Sequence, residues 1–139
     1  MPPELELCWA TKAYQHAEIH FNLLCALPDT RLLKLTSLDD VIYQRFEEIF
    51  NGMELKSMDE LQLKSESSKA TWRDFCNEFK EKVDDFNFAT LLRLDASKGY
   101  DATNTCIVPR IQFLTIEIAR NRRGLNDTRT LQKYNKKIS

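Results

Sequence analysis

Residues 109–124 read PRIQFLTIEIARNRRG, and this stretch decides how the rest of the chain can pack. Ile111, Leu114 and Ile118 recur at helical spacing, and further apolar residues fall on an adjoining face. Gly124 stands where a helix C-cap is expected. We therefore predict a helix over 104–123 that is apolar around most of its circumference and lies at the centre of the molecule.

Three further helices are predicted before this stretch. Apolar residues recur at helical spacing over 5–27, until a proline ends the pattern, and again over 38–50. The run 72–86 has the clearest amphipathic pattern, because its large side chains all fall on one face. Residues 53–68 are polar and serine-rich, which predicts a loop.

Residues 90–95 are too few for their period to decide between a helical turn and a strand paired with 106–108, and we favour the helical turn. With only three glycines and four prolines, helices are favoured over a sheet of many strands. The sequence predicts a mainly α fold, a single compact helical domain of about four to six helices with room for one short β-pair. We assign residues 1–124 to this domain and predict that the basic residues 125–139 form a mobile tail.

Charge is divided unevenly along the chain. The whole chain has 20 Lys and Arg against 21 Asp and Glu, so no overall attraction to nucleic acid or to an anionic membrane is expected. Residues 1–109 carry 12 basic and 19 acidic side chains (net −7), whereas residues 110–139 carry 8 and 2 (net +6). We expect the C-terminal arginines to pair chiefly with the chain's own acidic helices; an acidic protein partner and RNA are the alternatives.

The sequence also favours a cytoplasmic protein. No apolar run approaches the roughly 18 residues that span a bilayer, and the start Met1-Pro2-Pro3-Glu4 lacks the pattern of a signal peptide. The four cysteines contain no C-x-x-C pair, and we interpret them as reduced core residues.

Sequence motifs of catalysis and metal binding are missing. G-x-G-x-x-G, G-x-x-x-x-G-K-[ST] and G-x-S-x-G do not occur. His16 and His20 are four residues apart on a predicted helix, but there is no further histidine to complete a metal site. We predict that the protein is not an enzyme and has no metal or cofactor, and we interpret the two histidines as part of a polar or partly buried helix face.

Glu117 interrupts the apolar part of the central helix. A buried carboxylate needs a partner, and Arg93, Arg110 and Arg120 are the candidates. The alternative is that Arg110, Glu117, Arg120 and Asn121 form a polar lip at which another protein docks.

Five blocks of the sequence are similar to one known family. They are WATKAYQHAE (9–18), FNL (21–23), LKSESSKATWRDFC (63–76), DFNFATLLRLD (85–95) and PRIQFLTIEIARNR (109–122). These blocks resemble the eukaryotic family named polysaccharide biosynthesis domain-containing protein, over about residues 5 to 124.

The resemblance implies a small, mainly helical cytosolic protein that acts as a dedicated chaperone for translation elongation factor 1A. Such proteins bind the nascent GTP-binding domain of this factor at the ribosome, together with the nascent polypeptide-associated complex. Animal members also carry a long acidic tail, whereas this chain ends in a basic stretch. The family's name is weak support for sugar chemistry, since no sugar-transferase site is recognisable here.

For the surface that contacts the client we predict the polar residues of the two strongest blocks. These are Arg93, Asp95, Arg110, Gln112, Glu117, Arg120, Asn121 and Arg122. We expect a monomer that binds no membrane. The first alternative function is an RNA- or ribosome-associated factor that uses the basic C-terminal third, and the second is an enzyme or accessory factor of polysaccharide biosynthesis.

Overall fold

A computed structural model describes residues 3–135 of the chain, with the side chains of residues 11–134. The elements follow in the order α1 (Pro3–Ala26), a 3-10 turn (Thr30–Leu32), α2 (Asp39–Ile49), α3 (Glu60–Leu63), α4 (Glu66–Glu78), β1 (Ala89–Arg93), β2 (Thr105–Pro109), α5 (Arg110–Arg122) and α6 (Thr128–Asn135). The predicted mainly α class and single domain are confirmed.

Helix α5 occupies the centre, as predicted. Every residue from 111 to 121 is buried, and α2, α4, both strands and the 3-10 turn pack against it. The helix begins at Arg110 rather than at 104, so the predicted start is wrong. Pro109 is extended at φ −60° and ψ 149°, and a proline disfavours helix in the residue before it, so the preceding residues form a strand.

Residues 90–95 contain a strand, and the helical turn that we favoured is wrong. Strand β1 pairs antiparallel with β2, in the register Ala89 opposite Pro109 and Arg93 opposite Thr105. Leu92, Cys106 and Val108 point into the core from these strands, whereas Ile107 is exposed. The alternation of buried and exposed residues has the period of a half-buried strand.

The main core lies between α5 and the helices α2 and α4. Phe46, Phe75 and Phe79 are buried there, and Phe50 stacks on Trp72 with ring centroids 4.2 Å apart. The periodic pattern predicted one helix over 72–86, but α4 ends at Glu78 with Phe79 as its C-cap. The chain then continues in turns, and Asp85 adopts a positive φ of 53°.

A smaller core joins the two ends of the described chain. Phe21, Leu24 and Cys25 of α1 pack with Leu131 of α6. Of the predicted tail over 125–139, residues 128–134 lie in a helix that docks on α1. Residues 136–139 lie outside the described residues.

Two smaller predictions can be compared with the described residues. Cys25, Cys76 and Cys106 are free and buried, as predicted for core thiols, and the side chain of Cys8 lies outside the described part. Over the described helices, none combines the length and apolar character that crossing a bilayer requires.

Candidate functional site

A charged cluster is buried at the middle of α5. The carboxylate of Glu117 accepts hydrogen bonds from Arg93 of β1 at 3.2 and 3.3 Å and from Arg120 at 3.1 Å. Asn126 donates a further hydrogen bond to Glu117 at 3.0 Å. The side chains of all three charged residues are fully buried. Glu117 is thus paired inside the domain, by two of the three arginines that the sequence offered.

Other donors of the two arginines bind backbone carbonyls of loops, and Arg93 also donates to the side-chain oxygen of Asn126 at 2.7 Å. Arg93 donates to the carbonyl oxygens of Ala96 and Lys98 at 2.9 and 3.1 Å. Arg120 donates to those of Leu55 and Leu94 at 2.9 and 3.1 Å. The two loops pair with each other at the bridge between Ser57 and Asp95, and the arginines in addition fix them to β1 and α5.

Electrostatics favour the ionised carboxylate in this cluster. Burial alone would raise the pKa of Glu117, but Arg93 and Arg120 lower it well below its ordinary value. Burial also lowers the pKa of Arg120, and Glu117 opposes that effect. Two guanidinium groups and one carboxylate give the cluster a net positive charge inside the domain. Removing any one of these partners is therefore expected to lower the free energy of unfolding.

His20 and Tyr100 border the cluster. Nδ1 of His20 lies 2.8 Å from the hydroxyl of Tyr100, and the guanidinium of Arg93 lies 5.7 Å from the centre of the Tyr100 ring. Burial is the main cause that lowers the pKa of His20 to about 4, so its imidazole is neutral at pH 7. Burial likewise raises the pKa of Tyr100, and Glu117 raises it further.

The turn after α5 brings Asn126 to the cluster. Gly124 has φ 72°, the amide of Leu125 donates to the carbonyl of Arg120 at 2.9 Å, and the amide of Gly124 donates to that of Asn121 at 3.1 Å. This is the Schellman geometry, and it confirms the predicted glycine C-cap. The sequence analysis missed Asn126; its place two residues after a C-cap glycine was the available signal.

The structure brings four of the eight predicted contact residues together and keeps them inside the domain. Arg93, Glu117 and Arg120 form the cluster, and the side-chain oxygen of Asn121 accepts from Asn126 at 2.7 Å. Since these side chains are buried, they can hold the fold together but cannot touch a partner in this conformation. Gln112 is buried as well.

Asp95, Arg110 and Arg122 are the half-buried members of the predicted set. Asp95 accepts hydrogen bonds from the amide and the hydroxyl of Ser97 at 2.9 and 2.6 Å. Arg122 pairs with Asp40 of α2. These three side chains remain reachable, but they are not gathered into one patch with the others.

The basic end of α5 binds the acidic helix α2. Besides the pair of Arg122 with Asp40, Arg123 lies 3.2 Å from Glu47. Both arginines also lie over the ring of Tyr43, at 5.1 and 5.9 Å from its centre. These contacts confirm self-pairing for the arginines at this end of the helix.

An open groove of about 660 Å³ runs beside the cluster, between α1, the outer face of the β-pair and α6. Its walls include Ala13, Ala17, Leu91 and Ile107, and Tyr14 stands 71% exposed at its edge. Among the described residues that line it, the charged ones are Glu18 and Asp101. The groove therefore offers an apolar floor with an acidic rim.

The two histidines of α1 have ring neighbours rather than ligand partners. The rings of His16 and His20 stack with centroids 6.4 Å apart, and each contacts Phe113 edge-on at 5.1 Å. No group of three His, Cys, Asp or Glu side chains that could hold a metal ion occurs among the described residues.

Fold and site define a class: a mainly α domain with one β-pair, organised by a buried Arg–Glu–Arg cluster and open along an apolar groove. The chain belongs to the PBDC1 protein family, whose model matches residues 5–131. This is the family, under its older name, that the sequence blocks resemble, so that prediction is confirmed.

Relatives in animals and fungi match most of the chain. It is 51% identical to Protein PBDC1 of Mus musculus and 50% identical to Protein PBDC1 of Homo sapiens, each over 124 residues and 89% of this chain. The match spans 62% of the mouse protein and 53% of the human protein. The Protein PBDC1 homolog of Saccharomyces cerevisiae is 42% identical over 128 residues, 89% of this chain and 87% of the yeast protein.

A solved structure has the same fold. The solution NMR structure of protein yst0336 from Saccharomyces cerevisiae is similar to this chain with a TM-score of 0.79 and 42% sequence identity. The similarity covers 89% of this chain and 87% of that chain.

Proposed function

We propose that this domain is a client-specific cotranslational chaperone that binds the nascent GTP-binding domain of translation elongation factor 1A. The sequence resemblance implies this client, and the apolar groove is the structural observation that carries the proposal. The groove borders the smaller core, with Phe21 in its wall, and offers the exposed side chains of Tyr14 and Ile107 to another chain. We further propose that the protein acts as a monomer in the cytoplasm. There it binds the client at the ribosome, together with the nascent polypeptide-associated complex.

The lining of the groove restricts the segment of the client that it can hold. Ile107 and Leu91 would contact an apolar side chain, and Glu18 and Asp101 favour a neighbouring lysine or arginine. A segment of the unfolded GTP-binding domain that combines these two features is therefore the proposed occupant. Binding would keep that apolar segment from aggregating until the client domain folds.

Contact residues for the client are proposed on this basis. Tyr14 and Ile107 are the central contacts, because they are the exposed apolar side chains of the groove. Of the residues that the sequence suggested, Asp95, Arg110 and Arg122 are half-buried but do not line the groove, so they are proposed only as contacts outside it. The buried residues of the cluster are left out of the contact surface.

The RNA-associated alternative has less support in this structure. Arg122 and Arg123 are engaged with α2, which leaves Arg129 and Lys133 as the exposed cations of the described C-terminal segment. Tight, salt-sensitive association with labelled RNA in fluorescence anisotropy, lost on replacing both of these side chains, would favour RNA over the client.

The test is capture of nascent chains from a translating lysate, followed by mass spectrometry. The parent is compared with Ile107→Glu in the groove and with Leu61→Glu as a matched control, because Leu61 is 84% exposed and does not line the groove. We expect the parent and the control to retain nascent elongation factor 1A and the groove variant to lose it. Undiminished capture by Ile107→Glu would reject the groove, and absence of this client from the parent's captured chains would reject the chaperone proposal.

A further inference from the structure

Another cavity, of about 210 Å³, lies where α1 meets β1 and the start of α5, and Ala13 lines both it and the groove. Three nitrogen-bearing side chains from two helices line it: Lys12 and His16 of α1 and Arg110 of α5. The cavity also has Asp85 and the apolar ring of Phe88 in its wall. Neither the buried cluster nor the groove accounts for this gathering of hydrogen-bond donors.

Arg110 is the member that points to a ligand. Its Nε atom is buried and has no hydrogen-bond partner among the described residues. The other arginines of α5 differ, since Arg120 pairs with Glu117 and Arg122 with Asp40. A ligand in the open cavity cannot reach this buried Nε, but Arg110 is half-buried and its side chain forms no ion pair or hydrogen bond among the described residues, so an oxyanion in the cavity would accept from its terminal nitrogens.

His16 contributes a neutral donor. Burial is the larger cause and Arg110 the smaller cause that lower the pKa of His16, so the ring is uncharged at pH 7. A neutral imidazole still offers one N–H group to an anion and adds no charge of its own. With Lys12 and Arg110 positive and Asp85 negative, the cavity carries a net charge of +1, which favours a small anion.

The start of α5 adds to this preference. Its N-cap is Pro109, which provides no side-chain hydrogen bond to the first turn, and the amide of Ile111 is already bonded to the carbonyl of Phe86 at 2.8 Å. The positive end of the helix dipole thus faces the region of Arg110 without a carboxylate cap. The volume is below the roughly 300 to 1,000 Å³ of ordinary small-molecule pockets, so the ligand must be small.

We propose that the cavity formed by Lys12, His16 and Arg110 is a binding site for a tetrahedral oxyanion, namely inorganic phosphate or the phosphate group of a small monoester. The planar fork of Arg110 provides paired donors, Lys12 a point charge at the rim, and His16 the neutral donor. This site is separate from the proposed client groove and does not depend on the chaperone proposal.

The experiment follows the amide and imidazole signals of the full chain by NMR during titration with sodium phosphate at constant ionic strength. We expect saturable shifts around Lys12, His16 and Arg110 and a rise in the pKa of His16 when phosphate is bound, because the anion favours the imidazolium. Arg110→Gln should weaken binding at least about tenfold, the loss expected for a charge-assisted hydrogen bond. Phenyl phosphate and acetate, titrated in parallel, distinguish a free phosphate site, a monoester site and a preference for any anion.

Two further variants test whether phosphate binds at this cavity. Lys12→Gln alters an exposed side chain and should weaken binding without changing the thermal unfolding temperature. Arg129→Gln removes another exposed cation away from the cavity and should leave binding unchanged. The site is rejected if phosphate gives no saturable shift, if acetate binds equally well, or if Arg129→Gln weakens binding as much as Lys12→Gln does.

Discussion

Arg120 and Arg122 stand two residues apart in α5, yet the helix turns one inward and the other outward. Arg120 is fully buried, pairs with Glu117 and donates to two loop carbonyls. Arg122 is about one-third exposed and pairs with Asp40, which is largely in solvent. Identical side chains on one helix therefore belong to two regions that differ in solvent access. One is a buried charge cluster, and the other is a solvated ion pair.

The two regions differ in what happens when one partner is lost. In the cluster no water can replace the missing group, so the remaining charges stay buried and unpaired. At the surface, water solvates whatever is left. The cluster should therefore govern the stability of the domain, and the surface pairs should be close to dispensable.

The largest effect is expected for Glu117→Gln. This change keeps the shape of the side chain but leaves Arg93 and Arg120 buried without a counter-charge, which should cost about 3 to 5 kcal/mol of unfolding free energy. Urea unfolding followed by circular dichroism measures it. The matched control is Glu47→Gln, which removes the exposed partner of Arg123 and should leave the urea midpoint near that of the parent. Similar midpoints for the two variants would remove the distinction between the regions.

The next effect is a loss of stability in mild acid through His20. Its pKa falls from an ordinary 6.5 to about 4 on folding, so the unfolded chain binds the proton more readily. Stability should be complete above about pH 6.5 and fall by roughly 3 kcal/mol as the pH drops to 4. Glu117, whose pKa is lowered from 4.5, adds its own loss from about pH 5 downward, because the unfolded chain takes up the proton there and the folded chain does not.

Urea midpoints measured across this pH range, for the parent and for His20→Asn, separate the two contributions. The asparagine amide can keep the hydrogen bond to Tyr100 but does not titrate. The variant should have a flatter profile between pH 6.5 and 5, with the slope due to His16 left there, and Glu117 should add to the loss closer to pH 4. An unchanged slope would mean that His20 is not the group that senses acid.

A smaller effect is expected at Gly124, which lies on the boundary between the two regions. Its φ of 72° costs an alanine about 1 to 2 kcal/mol, although there is space for the added methyl group. Gly52→Ala is the control, because Gly52 has a φ of 83° and nothing within 4 Å of the added carbon. A larger loss of unfolding free energy at Gly124 than at Gly52 would show that this turn also positions Asn126 in the cluster.

The smallest effect is expected for Arg122→Gln. Loss of the pair with Asp40 and of the contact with Tyr43 should cost less than about 1 kcal/mol of unfolding free energy, since Asp40 is exposed and stays solvated. The double variant with Asp40→Asn tests coupling between the two residues. Coupling as large as that between Glu117 and Arg120 would contradict the division of α5 into a buried and a solvated side.

The sequence predicted the structure best where several residues indicated the same element. The apolar residues of 111–118 and the glycine at 124 predicted both the central helix and its C-cap. Glu117 in this apolar setting also indicated an internal partner as one of two alternatives, because a buried carboxylate must be neutralised. Arg120 follows from helical spacing alone, three residues after Glu117.

The parts that failed depend on contacts between distant residues. Whether residues 90–95 form a strand is decided by pairing with 105–109, and only that pairing brings Arg93 to Glu117. Helix α6 has few apolar residues, Leu131 and Tyr134 among them, too few to reveal that it docks on α1. Nor could the sequence predict that these contact residues are buried. The residue type alone does not show whether an arginine faces solvent or a buried carboxylate.

The junction of α1 and α6 has a consequence for the order in which the molecule can be completed during synthesis. The hydroxyl of Thr128 donates to the carbonyls of Leu24 and Leu27, at 3.1 and 2.6 Å, and the amide of Gln132 donates to that of Cys25 at 2.9 Å. The last turn of the first helix is thus capped by residues made about a hundred positions later. While the ribosome still holds residue 128 in its exit tunnel, those carbonyls must be bound by water, and the native domain closes only after α6 has been released.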